Sequence, residues 1–179
     1  MEESEVPLEK VHEDIHEHVQ GSGERWTLGV ALTAAVLAGL AAIASLLSGH
    51  HANEGTLEQL RASDQWNYYQ AKGIKAAVLS AKMELLGSLG KIPDAKDRIK
   101  SVEYKNDQEE ILREAKEKEK ASQSHMRVHV IFARGVTLFQ VAIAVSAVSV
   151  LTRRRGFWYV GLAFGVVGVG FLIQGLIAQ

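Results

Sequence analysis

Three long apolar runs decide most of what this chain can become. Trp26 to Leu47 is 22 residues without a charge, Val130 to Leu151 is 22 residues whose only charge is Arg134, and Gly156 to Ala178 is 23 uncharged residues. A bilayer core about 30 Å thick is crossed by roughly 20 helical residues, so each run is long enough to span it. Soluble helices of this length keep a polar face, and the rest of the chain has too little apolar surface to bury three without one. The expected fold is an all-α membrane protein with three transmembrane helices, over 26–49, 130–151 and 156–178, and the lipid bilayer as its first partner. The stretch ahead of the first run is acidic and lacks the short basic segment of a cleavable signal, so that run is expected to be retained.

The charged residues concentrate elsewhere. Lys and Arg number 20 against 21 Asp and Glu, which leaves no broad basic surface for nucleic acid. Cysteine is absent, which removes disulfides, thiolate metal sites and cysteine nucleophiles. Between the first two runs lies a polar insert, 50–129, divided near 87–94 by "GSLGKIPD", a turn signal of glycines, proline and aspartate. The stretches on either side, 52–87 and 94–128, are 36 and 35 residues long. Equal arms about one turn, with both outer ends held by membrane spans, predict a long antiparallel helical hairpin between the first and second transmembrane helices.

The arms differ in character. In the first, Leu57, Leu60, Ala71, Ile74, Val78, Ala81 and Leu85 alternate spacings of three and four, the pattern of a coiled-coil seam. Asp64 and Asn67 fall on it, as polar residues that set register at some cost in stability. The second arm is mostly charged, and its sparse apolar set (Ile99, Val102, Tyr104, Ile111, Ala115) is too small to cover the first. The first arm therefore needs further partners, most simply copies of itself, and a homo-oligomer is expected.

Orientation follows from the loop "LTRRRGF", 151–157. Three arginines in so short a loop place it in the cytoplasm, which puts the N-terminus inside and both the hairpin and the C-terminus outside. Arg113, Lys116, Lys118, Lys120 and Arg127 precede the second run and pull the other way, but long polar segments translocate with less regard to charge.

Several segments carry a resemblance. "GERW", "SGHHANE", "RASDQWNYYQAKGIKAAVLSAKMELL" and the two closing apolar runs resemble a family of uncharacterised three-span bacterial inner-membrane proteins, a domain of unknown function, from about Gly23 to the end. The block "ASDQWNYYQAKGIKA" is the most specific part. The resemblance implies a multi-pass protein of the bacterial inner membrane; it implies no reaction and no catalytic residue.

Candidate chemistry is thin. "HEDIH", 12–16, fits the H-E-x-x-H helix of zinc proteases, but it stands in a short amphipathic N-terminal helix, 1–20, tethered by "GSG" and followed by no cleft or third ligand. No enzyme activity and no resident cofactor are expected. His50 and His51 close the first run while His125 and His129 open the second, so a hairpin would bring four imidazoles to its base, where a divalent metal or pH-dependent role is conceivable chemistry. Arg134, Gln140 and Gln174 are polar groups at membrane depth, a default functional signal. Gly161, Gly165, Gly168 and Gly175 fall near one face of the third run, a close-packing pattern. Trp66, Tyr68 and Tyr69 lie about 28 Å beyond Leu47 on a continuous helix, too far out for a membrane belt, and read as anchors of a protein interface or of the hairpin core. The function expected is that of a homo-oligomeric scaffold or interaction module presenting the hairpin. The alternative is a channel or transporter subunit with its pathway near Gln140, Arg134 and Gln174.

Overall fold

The computed structural model describes residues 25–178 and contains among them three helices and no strand. These are α1 (Arg25–Ser88), α2 (Ala95–Leu151) and α3 (Arg155–Ile177), of 64, 57 and 23 residues. Each includes a stretch long and apolar enough to cross a membrane. The amphipathic segment 1–20 and its "HEDIH" motif lie outside the described residues. A membrane crossing uses roughly 20 residues, close to the length of α3, whereas α1 and α2 carry well over thirty residues more than a crossing needs.

The same backbone device ends both long helices. At the end of α1, the Lys91 amide donates to the Leu86 carbonyl (2.9 Å) and the Gly90 amide to that of Gly87 (3.0 Å), with Gly90 at φ 71°. This is a Schellman closure, in which a left-handed residue lets the chain satisfy the last helical carbonyls. Asp94 then opens α2: its side chain accepts from the Lys96 amide (3.2 Å), and its carbonyl from Asp97 (3.0 Å). At the end of α2, Arg154 donates to Ser149 (3.1 Å) and Arg153 to Val150 (3.2 Å), with Arg153 at φ 53°. Here an arginine stands where the first closure has glycine.

Contacts divide the chain into two units, each drawing on both long helices: Met1–His51 with Arg127–Gln179, and Ala52–Met126. The first unit, as described, comprises 25–51, 127–151 and α3. Its core gathers Leu37, Ala41, Ala44, Val128, Phe132, Phe139, Ala142, Ile143 and Leu172. The buried positions of α3 are Gly161, Gly165, Gly168, Leu172 and Gly175, spaced by fours and threes. Four of the five have no side chain, so neighbouring side chains fill the space. A Cβ on Gly165 would stand 2.8 Å from Leu37, one on Gly168 2.8 Å from Phe139, and one on Gly175 2.6 Å from Phe132. Hydrogen bonds add to this packing where hydroxyls lie inside: the Trp158 indole donates to Thr33 (3.1 Å), while Ser146 returns its proton to the Ala142 carbonyl (2.7 Å).

In the second unit, ion pairs run in opposite directions along α1 and α2. Glu58 meets Lys118 (3.4 Å), Lys72 meets Asp107 (2.6 Å) and Lys82 meets Asp97 (2.7 Å). Nearer the start of the arm, Ser122 donates to the Gly55 carbonyl (2.7 Å), and a Cβ on Gly55 would stand 3.0 Å from the Met126 sulfur.

Candidate interaction surface

The covered face of the first arm is set by a regular spacing. Gly55, Glu58 and Ala62 are buried, and Gln65, Tyr69, Lys72, Ala76, Leu79, Met83 and Leu86 are half-buried, again by threes and fours. The second arm answers with Tyr104, Gln108, Ile111, Ala115, Lys118, Ser122 and His125 in the same rhythm. Much of this seam is small or polar, and charge pairs contribute to its closure. Lys72 is its best-defined member: besides its bond to Asp107, its ammonium lies 5.5 Å from the Tyr68 ring centroid and 5.3 Å from that of Tyr104. The Asp107 bond raises its pKa above the ordinary lysine value, burial opposes the shift, and Tyr68 adds to it. For Glu58, burial pushes the carboxyl upward, but Arg61 and Lys118 outweigh it and hold the pKa below the usual value.

The seam read from sequence is not the one that joins the arms. Leu57, Leu60, Asp64, Asn67, Ala71, Ile74, Val78, Ala81 and Leu85 are all exposed. Leu57 is 46% accessible, Leu60 62%, Ile74 66%, Val78 66% and Leu85 62%. At 3.6 residues per turn this stripe lies almost opposite the covered one. The arm thus carries two interleaved heptad patterns, and the more apolar of the two faces outward. Periodicity alone could not choose between them. The signal that does choose is the second arm, whose facing side offers Asp107, Asp97, Lys118 and Ser122, complements for Lys72, Lys82, Glu58 and Gly55 rather than for leucines.

The aromatic residues singled out from sequence divide between the two faces. Trp66 and Tyr69 are half-buried and meet edge to face at 5.8 Å between centroids, while Tyr68 is exposed over Lys72.

In the first unit, the Ser48 hydroxyl and carbonyl both lie 2.9 Å from Nδ1 of His129, and His51 is buried with its ring stacked on Phe132 at 5.9 Å. His50 packs edge-on against His51 at 5.4 Å. His125 belongs to the other unit. Among the described residues, no group of three or more histidine, cysteine, aspartate or glutamate side chains is placed to hold a metal ion. Of the four candidate histidines, the His129 ring is engaged with Ser48 and the His51 ring with Phe132.

Arg134 and Gln174 are exposed on the surface of the first unit, and Gln140 is half-buried. An open apolar cleft of about 400 Å³ between α1 and α3, lined by Leu32, Val36, Leu37, Leu162, Gly165 and Val169 among others, has Thr33 as its one polar neighbour. That hydroxyl is already bonded to Trp158 and to the α1 backbone, so nothing there would orient a polar substrate.

Taken together, the fold and surface define an all-α chain with three helices apolar enough for a membrane, two of which extend into a polar, paired second unit. The chain belongs to the DUF4337 family, a domain of unknown function, whose model matches residues 26–178. No curated protein and no solved structure matches it.

Proposed function

We propose that this protein is a multi-pass protein of the bacterial inner membrane that holds a helical hairpin outside the bilayer as an interaction scaffold. The observation that carries this reading is the division of α1 and α2. Each joins a stretch suited to the membrane to a long polar arm, and the arms pair with each other through charges that hydrocarbon would not accommodate. An outward apolar stripe on such a hairpin is a surface for a protein partner, since exposed apolar patches of this extent mark interaction sites. The cluster Arg153, Arg154 and Arg155 in a short loop supports a cytoplasmic position for that loop, and hence an outside position for the hairpin. No observation favours the channel alternative: Arg134 and Gln174 lie on the outer surface of their unit.

The cysteine-free sequence makes the test direct. Single variants Ser88→Cys at the hairpin tip and Thr152→Cys in the arginine loop are labelled in intact cells with a membrane-impermeant maleimide. The scaffold topology requires labelling of Ser88→Cys alone, with Thr152→Cys reacting only after the membrane is opened. Equal labelling of both in intact cells, or release of the protein by alkaline carbonate, would contradict it.

A further inference from the structure

We infer that the outward stripe of α1 pairs with the same stripe of a second copy, parallel and in register, so that Asp64 and Asn67 each face their own counterparts. The inference rests on the scaffold reading and adds the partner and its alignment. Three features of the arm point to this occupant. First, the nine stripe positions from Leu57 to Leu85 repeat by threes and fours without interruption and are all exposed, although the arms have already satisfied each other on the opposite face. A 3.5-residue period is what a second helix requires, whereas a lipid surface imposes no such period.

Second, the residues beside the stripe discriminate between orientations. One edge carries Arg61, Tyr68, Lys75 and Lys82, and the other carries Ser63, Gln70, Ala77 and Glu84. An antiparallel pair brings like edges together and opposes Lys75 and the exposed Arg61 and Lys82 to their counterparts, the latter two being also paired within their own chain with Glu58 and Asp97. A parallel pair sets each cationic edge against the largely neutral one. Third, two copies anchored in one membrane with one topology present their arms in the same direction, which makes the parallel alignment available without reorienting either chain.

In that alignment the seam is apolar at both ends, through Leu57 and Leu60 at one and Ile74, Val78 and Leu85 at the other. Its centre is polar. Paired Asn67 amides satisfy each other and penalise slipped registers, while paired Asp64 carboxylates repel, which makes the association reversible rather than permanent.

Disulfide trapping on the full-length protein in membranes tests this, again because no native cysteine interferes. Ile74→Cys and Val78→Cys should give disulfide-linked dimers on mild oxidation, several-fold above Ser80→Cys, which is exposed but lies off the stripe. Ile74→Lys combined with Val78→Lys should abolish the dimer seen by light scattering in detergent, with helicity unchanged by circular dichroism, while Asp64→Leu should raise the dimer fraction. Equal trapping at 74, 78 and 80 would mean random collision and overturn the proposal. So would trapping of Val78→Cys only with a different cysteine position, which signals an antiparallel or shifted pair, or a stripe that becomes protected only when another protein is added. The maleimide labelling is read alongside, in the same membranes. Failed topology with retained trapping would remove the membrane reading and leave the paired stripe, whereas intact topology without trapping would do the reverse.

Discussion

Arg153 holds a left-handed backbone angle that a side chain makes costly, and it does so in the same closure that Gly90 completes at the other helix end. A Cβ in that region costs about 1 kcal/mol. Arg153→Gly should therefore raise thermal stability in detergent by up to about 1 kcal/mol, while removing one of the three arginines of the 151–157 segment. Glu58 offers a second residue-scale test. Its folded-state pKa lies below the ordinary 4.5, so the stability it contributes is fully present above that value and is lost as pH falls through the lowered one. Glu58→Gln should abolish this part of the acid sensitivity of the second unit, measured as helicity against pH between neutrality and strongly acid solution. Lys72 has the opposite sign: its raised pKa keeps the Asp107 pair intact until pH climbs above the ordinary 10.5.

The third helix packs through what it lacks. Gly161, Gly165, Gly168 and Gly175 let Ser146, Leu37, Phe139 and Phe132 approach its backbone, so van der Waals contact takes the place that interdigitated side chains hold elsewhere. Gly175→Ala places a Cβ 2.6 Å from the fully buried Phe132 ring, which has no free direction to move. It should cost roughly 1–3 kcal/mol, as overpacked cores do. Gly170→Ala on the same helix meets nothing within 4 Å and should stay within about 0.5 kcal/mol of the parent. Comparison of the two unfolding temperatures in one detergent separates packing from helix propensity. The spacing of these glycines is legible in the sequence, because a face of glycines is a property of the helix alone. Which groups fill that face is not, since Phe132 and Phe139 come from α2, another helix altogether.

For the molecule as a whole, the arginine loop should impose a measurable bias on orientation. On the proposed topology, replacing Arg153, Arg154 and Arg155 together with glutamine should lower the fraction of chains whose Ser88→Cys is labelled from outside, because a positively charged short loop favours the cytoplasmic side. If that fraction does not change, the orientation is set by another segment.

That the described chain is all helix, where its helices break, and which stretches suit a membrane all follow from the order of the residues. These are local properties: run length, hydropathy, a glycine and an aspartate at a turn. Both heptad stripes of the first arm are present in the sequence too, and the more apolar one is the more conspicuous. It takes the folded arrangement to show that the second arm covers the other stripe. Complementarity explains the choice, because Asp107, Asp97, Lys118 and Ser122 offer charges and a hydroxyl to partners on α1 that hold charges and a bare carbonyl, and they offer leucines nothing. The histidines show the same limit from the other side. Proximity in sequence to two helix ends groups four histidines, but it does not give the contacts of each ring: His129 meets Ser48 and His51 meets Phe132. Contacts of this kind depend on the rotational phase of each helix against its neighbour, and a single chain's periodicity leaves that phase open.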